Sequence, residues 1–86
     1  MAKIDIYTRA FCPYCVRAVK LLKDKGVEFT EIDAGMDVQK KSEMVQRAAG
    51  ARTFPQIFIG ETHIGGCDDM MALERAGKLD PMLEGL

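Results

Sequence analysis

The chain has 86 residues, with 12 lysines and arginines against 13 acidic residues, a formal net charge of −1 and an isoelectric point near 5.8. A near-neutral chain without a basic excess is no general nucleic-acid binder, and 48% hydrophobic with 29% charged residues excludes a disordered or collagen-like chain. A chain this short is expected to make one domain, residues 1–86, and removes only about 60–65% of its extended surface from water, so any site should be a shallow groove.

The longest uninterrupted apolar run, residues 70–73, falls far short of the ~18 residues that read as a membrane-spanning helix. The opening Met1-Ala2-Lys3-Ile4-Asp5 places an acid where a signal peptide needs its apolar segment. The expected setting is the cytoplasm, with a monomeric chain and neither membrane nor nucleic acid as partner. Cys12, Cys15 and Cys67 are too few, and of the wrong parity, for a disulfide-stapled secreted scaffold. In a reducing compartment a close cysteine pair points to redox chemistry or metal.

Residues 3–8 alternate, with Ile4 and Ile6 on one face and Asp5 and Tyr7 on the other, which predicts a first strand. Over 13–25, Cys15, Ala18, Val19 and Leu22 recur at spacings of three and four, with Pro13 in the first turn and Gly26 after the last. That pattern predicts an amphipathic helix. Residues 28–33 carry Phe29 and Ile32 in an alternation that slips at Glu31, a second strand. Strand, helix and strand make a βαβ unit, with parallel strands and a right-handed crossover. Polar residues 34–38 lead into a second helix over 39–49, with Met44, Val45, Ala48 and Ala49 inward and Gly50 as terminator. Residues 56–59 and 62–65, joined by Gly60-Glu61, have the spacing of a tight antiparallel hairpin. A third helix follows over 67–76, with Met70 and Leu73 inward and Gly77 closing it. Asp80-Pro81 then reads as the cap and first residue of a short last helix. Met36, Met44, Met70, Met71 and Met82 read as core filler. The order β-α-β-α-β-β-α plus a short C-terminal helix predicts an α/β fold, a four-stranded mixed sheet flanked by helices, similar to the thioredoxin-like arrangement.

Cys12-Pro13-Tyr14-Cys15 falls where the first strand ends and the first helix begins. The unsatisfied N–H groups of a helix's first turn favour an anion, and the thiolate is the nucleophile of thiol–disulfide exchange. Cys12 is therefore the expected nucleophile. Arg9, three residues upstream, adds a positive charge, and Pro13 fixes the turn without adding an N–H. Cys15, one turn inside, is expected to be the better buried of the two, which suits a resolving thiol that attacks a mixed disulfide on Cys12. A Cys-x-x-Cys that opens a helix in a βαβ context signals redox chemistry. Zinc is the alternative, because Cys12, Cys15, His63 and Cys67 amount to four nitrogen or sulfur ligands. Otherwise His63, beside Ile64 on a strand, reads as a solvent-facing residue.

Together with Thr53-Phe54-Pro55 and Gly65-Gly66-Cys67-Asp68-Asp69, the Cys12-Pro13-Tyr14-Cys15 motif resembles a glutaredoxin of the small bacterial dithiol type, over essentially the whole chain. The resemblance implies a glutathione-dependent thiol–disulfide oxidoreductase acting on glutathionylated or disulfide-bonded proteins. Glutathione would be its co-substrate, with no metal and no tightly bound cofactor. It implies a cis peptide before Pro55, which spacing alone would not predict. The Phe54 backbone would then be free to pair with the cysteine moiety of glutathione as an added strand does; Phe54 stands where the family more often has Val. Backbone N–H groups of Cys67 and Asp68 would hold the γ-glutamyl carboxylate, the Asp68 side chain would accept from the ammonium, and Gly66 would let the backbone approach closely. Without the resemblance, Asp68 and Asp69 read as acids complementing a helix dipole. Arg9 matches the family's cation for the glycyl carboxylate, and Ser42, beside Lys40 and Lys41, falls at the family's second position for that group. Tyr14 is expected to pack on the ligand. Cys67 enters through its backbone, with its side chain read as a semi-exposed thiol. Two rival readings are a redoxin reduced by a flavoprotein and an iron–sulfur or zinc carrier using Cys12 and glutathione. The absence of Trp and of Gly-Pro between the cysteines counts against the first, Pro13 and Cys15 against the second.

Overall fold

The early alternation becomes β1 (Ile4–Thr8), and the amphipathic stretch after it becomes α1 (Pro13–Asp24) in the computed structural model, which describes residues 3–85. Met1 and Ala2, part of the export reading, and Leu86 lie outside the described residues. The chain continues through β2 (Thr30–Asp33), α2 (Val38–Arg47), β3 (Gln56–Ile59), β4 (Thr62–Gly65), α3 (Cys67–Arg75) and α4 (Leu79–Leu83). The strands form one mixed sheet in the order β2-β1-β3-β4, with β1 parallel to β2 and the other two pairs antiparallel. This is the thioredoxin-like α/β arrangement. Among the described residues no helix is long and apolar enough to cross a membrane.

The pleat of β1 divides the core in two. Ile4 and Ile6, with Ile57 and Ile59 of β3, face Ala18 and Leu22 of α1, Cys67 and Met70 of α3, and Leu79 and Leu83 of α4. Tyr7 and Phe58 face the other way, against Met44 of α2, Ala48 at its end, and Ala34. Helices thus cover both faces, and β1 is buried along its whole length, Asp5 included at 6% exposure. A buried carboxylate needs a partner. Arg47 supplies it from α2: its Nη1 lies 3.2 Å from Asp5 Oδ2 and donates to the Tyr7 hydroxyl at 2.9 Å. That hydroxyl in turn donates to Glu43 at 2.7 Å. Burial first, then the Glu43 hydrogen bond, pushes the Tyr7 phenol above its ordinary value. The guanidinium also lies 4.2 Å from the centroid of the Phe58 ring.

Five boundary or burial expectations are corrected. β2 starts at Thr30 and not at residue 28, because its pairing with β1 begins at Asp5 and Thr30. α2 starts one residue early, because the Asp37 side chain caps it by accepting from the Lys40 amide at 3.0 Å. Ala49 is exposed, since the chain leaves α2 through left-handed backbone at Ala49 (φ 55) and Gly50 (φ 97). Met36 is 96% exposed on the loop after β2 and fills no core. α4 begins at Leu79 with Lys78 as its cap, not at Pro81. The reason lies in the turn: Gly77 takes φ 71, the Lys78 amide bonds back to the Leu73 carbonyl at 2.9 Å, and the chain passes directly into α4. Asp80, freed from capping, pairs with Lys25 at 2.7 Å, and the same ammonium holds Glu74 of α3 at 2.7 Å.

Candidate active site

Past the C-terminal end of β1 the chain reaches Cys12, which caps α1 in extended backbone (φ −115, ψ 103). Its sulfur accepts the Cys15 amide at 3.3 Å, so one of the helix's orphan donors points at the thiol. The Cys12 thiol also contacts the Phe54 carbonyl, donating to it at 3.9 Å. The Phe54 carbonyl thus faces Cys12, the direction in which the resemblance turned this backbone. The expectation that Cys15 is the better buried is corrected, since both thiols are 4% exposed. The Phe54 segment closes over Cys12 from one side and the first turn of α1 from the other. Burial first, then the neighbouring Cys12, pushes the Cys15 thiol up to about 12, with Arg9 acting in the opposite direction. Cys12, Cys15 and Cys67 are all free thiols.

The Phe54–Pro55 peptide is cis. Beside it runs an open groove of about 360 Å³, which begins at half-exposed Tyr14, passes Thr53-Phe54-Pro55 and ends at Gly66, Cys67 and Asp68. Three motifs far apart in sequence thus line one depression. Arg9 is not among its lining residues, but its guanidinium lies 5.9 Å from the Phe54 ring centroid. Ser42 and Lys41 are not brought to this groove; they line a separate depression with Arg52.

At the groove's far end Gly66 caps α3 and the Asp69 carboxylate reaches back to accept the Gly66 amide at 2.9 Å. Gly65 is left-handed (φ 114), and a Cβ there would collide with the Asp69 carboxylate, so this cap requires glycine. The two acids therefore differ: Asp69 is built into the cap, while Asp68 is exposed on the groove. The Cys67 and Asp68 amides precede the first helical bond, from Met70 N–H to the Gly66 carbonyl at 3.1 Å, and are available to an anion. The Cys67 side chain is not semi-exposed. At 4% exposure it packs into the core with Met70, and burial, then Asp68, pushes its thiol up.

Sequence reasoning missed Gln56 and gave His63 only as a zinc ligand or a solvent-facing residue. Gln56, 2% exposed, donates from Nε2 to the Thr53 carbonyl at 2.9 Å and to the Thr53 hydroxyl at 3.0 Å. Its Oε1 meets His63 Nε2 at 2.6 Å, and the His63 ring stacks on Phe58 at 4.9 Å. His63 is thus a half-buried wall of the groove, not a solvent-facing residue. The pairing of Phe58 with His63 across the hairpin places Gln56, Phe58 and His63 on one face of the sheet. The predicted hairpin held that signal. Among the described residues no three His, Cys, Asp or Glu side chains gather as a metal would require, so the four ligands of the zinc reading do not converge.

A buried thiol pair at the start of the first helix of a thioredoxin-like sheet, facing a cis proline, defines a thiol–disulfide oxidoreductase. The glutaredoxin family model matches residues 4–64. The chain is 51% identical over 84 residues to glutaredoxin 3 of Escherichia coli, covering 98% of this chain and 100% of that protein. The solution structure of a Brucella melitensis glutaredoxin is 57% identical with a TM-score of 0.83, over 96% of this chain and 89% of that one. The crystal structure of a buckwheat glutaredoxin–glutathione complex is 34% identical with a TM-score of 0.86, over 98% and 78%. The chain belongs to the glutaredoxin family, whose members are glutathione-dependent thiol–disulfide oxidoreductases.

Proposed function

We propose that the chain reduces protein–glutathione mixed disulfides and protein disulfides in the cytoplasm, with Cys12 as nucleophile and Cys15 as resolving thiol. The observation that carries this reading is the Cys12 sulfur capping α1 beside a groove that ends at the amides of α3. Glutathione is bound to a glutaredoxin in the buckwheat complex. In this chain the Thr53-Phe54-Pro55 main chain pairs with its cysteine moiety, and Tyr14 packs on it. The Cys67 and Asp68 amides, approached closely over Gly66, hold its γ-glutamyl carboxylate, and the Asp68 carboxylate takes the ammonium. Arg9 faces the glycyl carboxylate.

In the monothiol route the Cys12 thiolate attacks the glutathione sulfur of a mixed disulfide. The old S–S bond breaks and the protein leaves as a thiolate. A second glutathione thiolate then attacks the Cys12–glutathione disulfide, giving glutathione disulfide and free Cys12. In the dithiol route Cys12 attacks a protein disulfide, and Cys15 displaces the protein to leave a Cys12–Cys15 disulfide that two glutathiones reduce.

The test is Cys15→Ser. Turnover of a glutathionylated peptide should stay within about threefold of the parent, while reduction of an intramolecular protein disulfide should fall by at least about a hundredfold. Loss of both activities would overturn the division of labour. Because the Cys15 thiol is pushed up to about 12, its thiolate is scarce near neutrality. The Cys15 resolution step, followed in a single turnover, should therefore speed up about tenfold per pH unit between roughly pH 6 and 8. Once Cys12 is part of a disulfide its contribution to that elevation disappears, leaving burial as the dominant cause. A pH-independent resolution rate would contradict this account.

A further inference from the structure

Phe11 is the residue that the fold and the groove leave unexplained. It is 99% exposed, and its backbone is left-handed with φ 58. That conformation is a true outlier for a bulky side chain. The other non-glycine residue in that region among the described residues, Ala49, is small and ends a helix. Phe11 belongs to neither core cluster, does not line the groove, and makes none of the aromatic or cation–π contacts found among the described residues. Such strain persists mainly at functional positions.

Its place gives it a use. Phe11 precedes Cys12 directly, and the loop after β2 leaves the same C-terminal edge of the parallel β1–β2 pair. That loop is pressed onto the active-site loop at Gly35, where an added Cβ would lie 2.7 Å from Arg9 Cβ. One and three residues further on stand Met36 and Val38, 96% and 82% exposed. Three large apolar side chains are thus displayed at the edge that carries the nucleophile, outside the groove assigned to glutathione. Phe11 is joined directly to the nucleophile residue in the chain, so a polypeptide exchanged at Cys12 comes within its reach.

We propose that Phe11, with Met36 and Val38, is a docking ledge for the polypeptide half of the substrate, favouring disulfides whose cysteine is flanked by apolar residues. Phe11 adjoins Cys12 in the chain and the Met36 loop packs on Arg9 through Gly35, so the ledge deepens the reading given above, on which it rests. It contributes contact area to the protein thiol that enters and leaves, and takes no part in the exchange itself.

The decisive variant is Phe11→Gly, because glycine accepts the left-handed backbone and the fold should hold. Its melting temperature should stay within about 4 °C of the parent. Three glutathione mixed disulfides are compared: one with 2-mercaptoethanol, one with a peptide whose cysteine is flanked by leucines, and one with the same peptide flanked by serines. In the parent, kcat/KM should favour the leucine peptide over the serine peptide by about five- to tenfold. In Phe11→Gly that preference should vanish, with the 2-mercaptoethanol substrate unchanged within about twofold. Equal turnover of both peptides by the parent, or an equal loss on all three substrates in the variant, would overturn the ledge. A glutathione-free measurement separates this outcome from failure of the glutathione reading. In a Cys15→Ser background the Cys12 thiolate attacks the same two peptides capped with thionitrobenzoate, and the coloured thionitrobenzoate leaves. The leucine peptide should react faster by the same factor when Phe11 is present and not when it is replaced. Identical rates for the two peptides would overturn the ledge by themselves.

Discussion

Cys12→Ser is expected to lower turnover of glutathionylated and disulfide substrates by at least about a thousandfold, because both routes begin with attack by this sulfur. The variant isolates chemistry from folding. Serine is a favoured helix cap, and its hydroxyl can accept the Cys15 amide that the Cys12 sulfur accepts at 3.3 Å. The melting temperature should therefore stay close to the parent while activity disappears. Turnover of either substrate class and thermal denaturation of the same preparation check this. Retention of activity would move the nucleophile elsewhere, and loss of stability in step with activity would show that the cap, not the thiolate, had been tested.

The largest effect on stability is expected at Arg47. It is the only partner of the buried Asp5 carboxylate among the described residues, it donates to Tyr7, and it stacks on Phe58. Asp5 Oδ1 has no hydrogen-bond partner, so the carboxylate has little else to rely on. Arg47→Met keeps an unbranched apolar stem but strands that carboxylate. Removing one member of a buried pair costs about 3–5 kcal/mol. With the Arg47 side chain 31% exposed, about 2–3 kcal/mol is expected, a fall in melting temperature of roughly 10–20 °C. Asp5→Leu combined with Arg47→Met should recover at least half of that loss, since no charge is then left buried. A double variant less stable than Arg47→Met alone would show that the pair is net stabilising beyond the avoidance of an unpaired charge.

Much of this architecture was legible in the chain. Pro13, Gly26 and the three-four spacing of Cys15, Ala18 and Leu22 define α1 because an amphipathic helix has one way to bury that stripe. Gly60-Glu61 fixes the hairpin because few connections join antiparallel strands in two residues. The three site motifs were readable from resemblance, and the structure brings Tyr14, Thr53, Phe54, Pro55, Gly66, Cys67 and Asp68 to one groove. What stayed hidden depended on contacts across the sheet. The alternation placed Asp5 and Tyr7 opposite Ile4 and Ile6 without showing what covers them; Asp5 is buried because β1 lies inside the sheet with Arg47 arriving from α2. Asp80 looks like a cap until Lys25, far away in sequence, claims its carboxylate. Gln56 and His63 required register, not composition, to be seen as neighbours.

The unequal division of the core sets an order of opening. The face covered by α1, α3 and α4 carries most of the large buried aliphatic side chains, whereas α2 itself buries only Met44. Local unfolding starts where buried apolar contact is least, so α2 is expected to detach and return many times before the rest of the molecule does. Native-state hydrogen exchange should find α2 amides at least about tenfold less protected than those of α1, and equal protection would mean that the Arg47 cluster binds the two layers into one cooperative unit. The thiol pair sits on α1, in the slower-exchanging layer. The molecule can therefore breathe on one side of its sheet while the reacting sulfurs keep their geometry on the other.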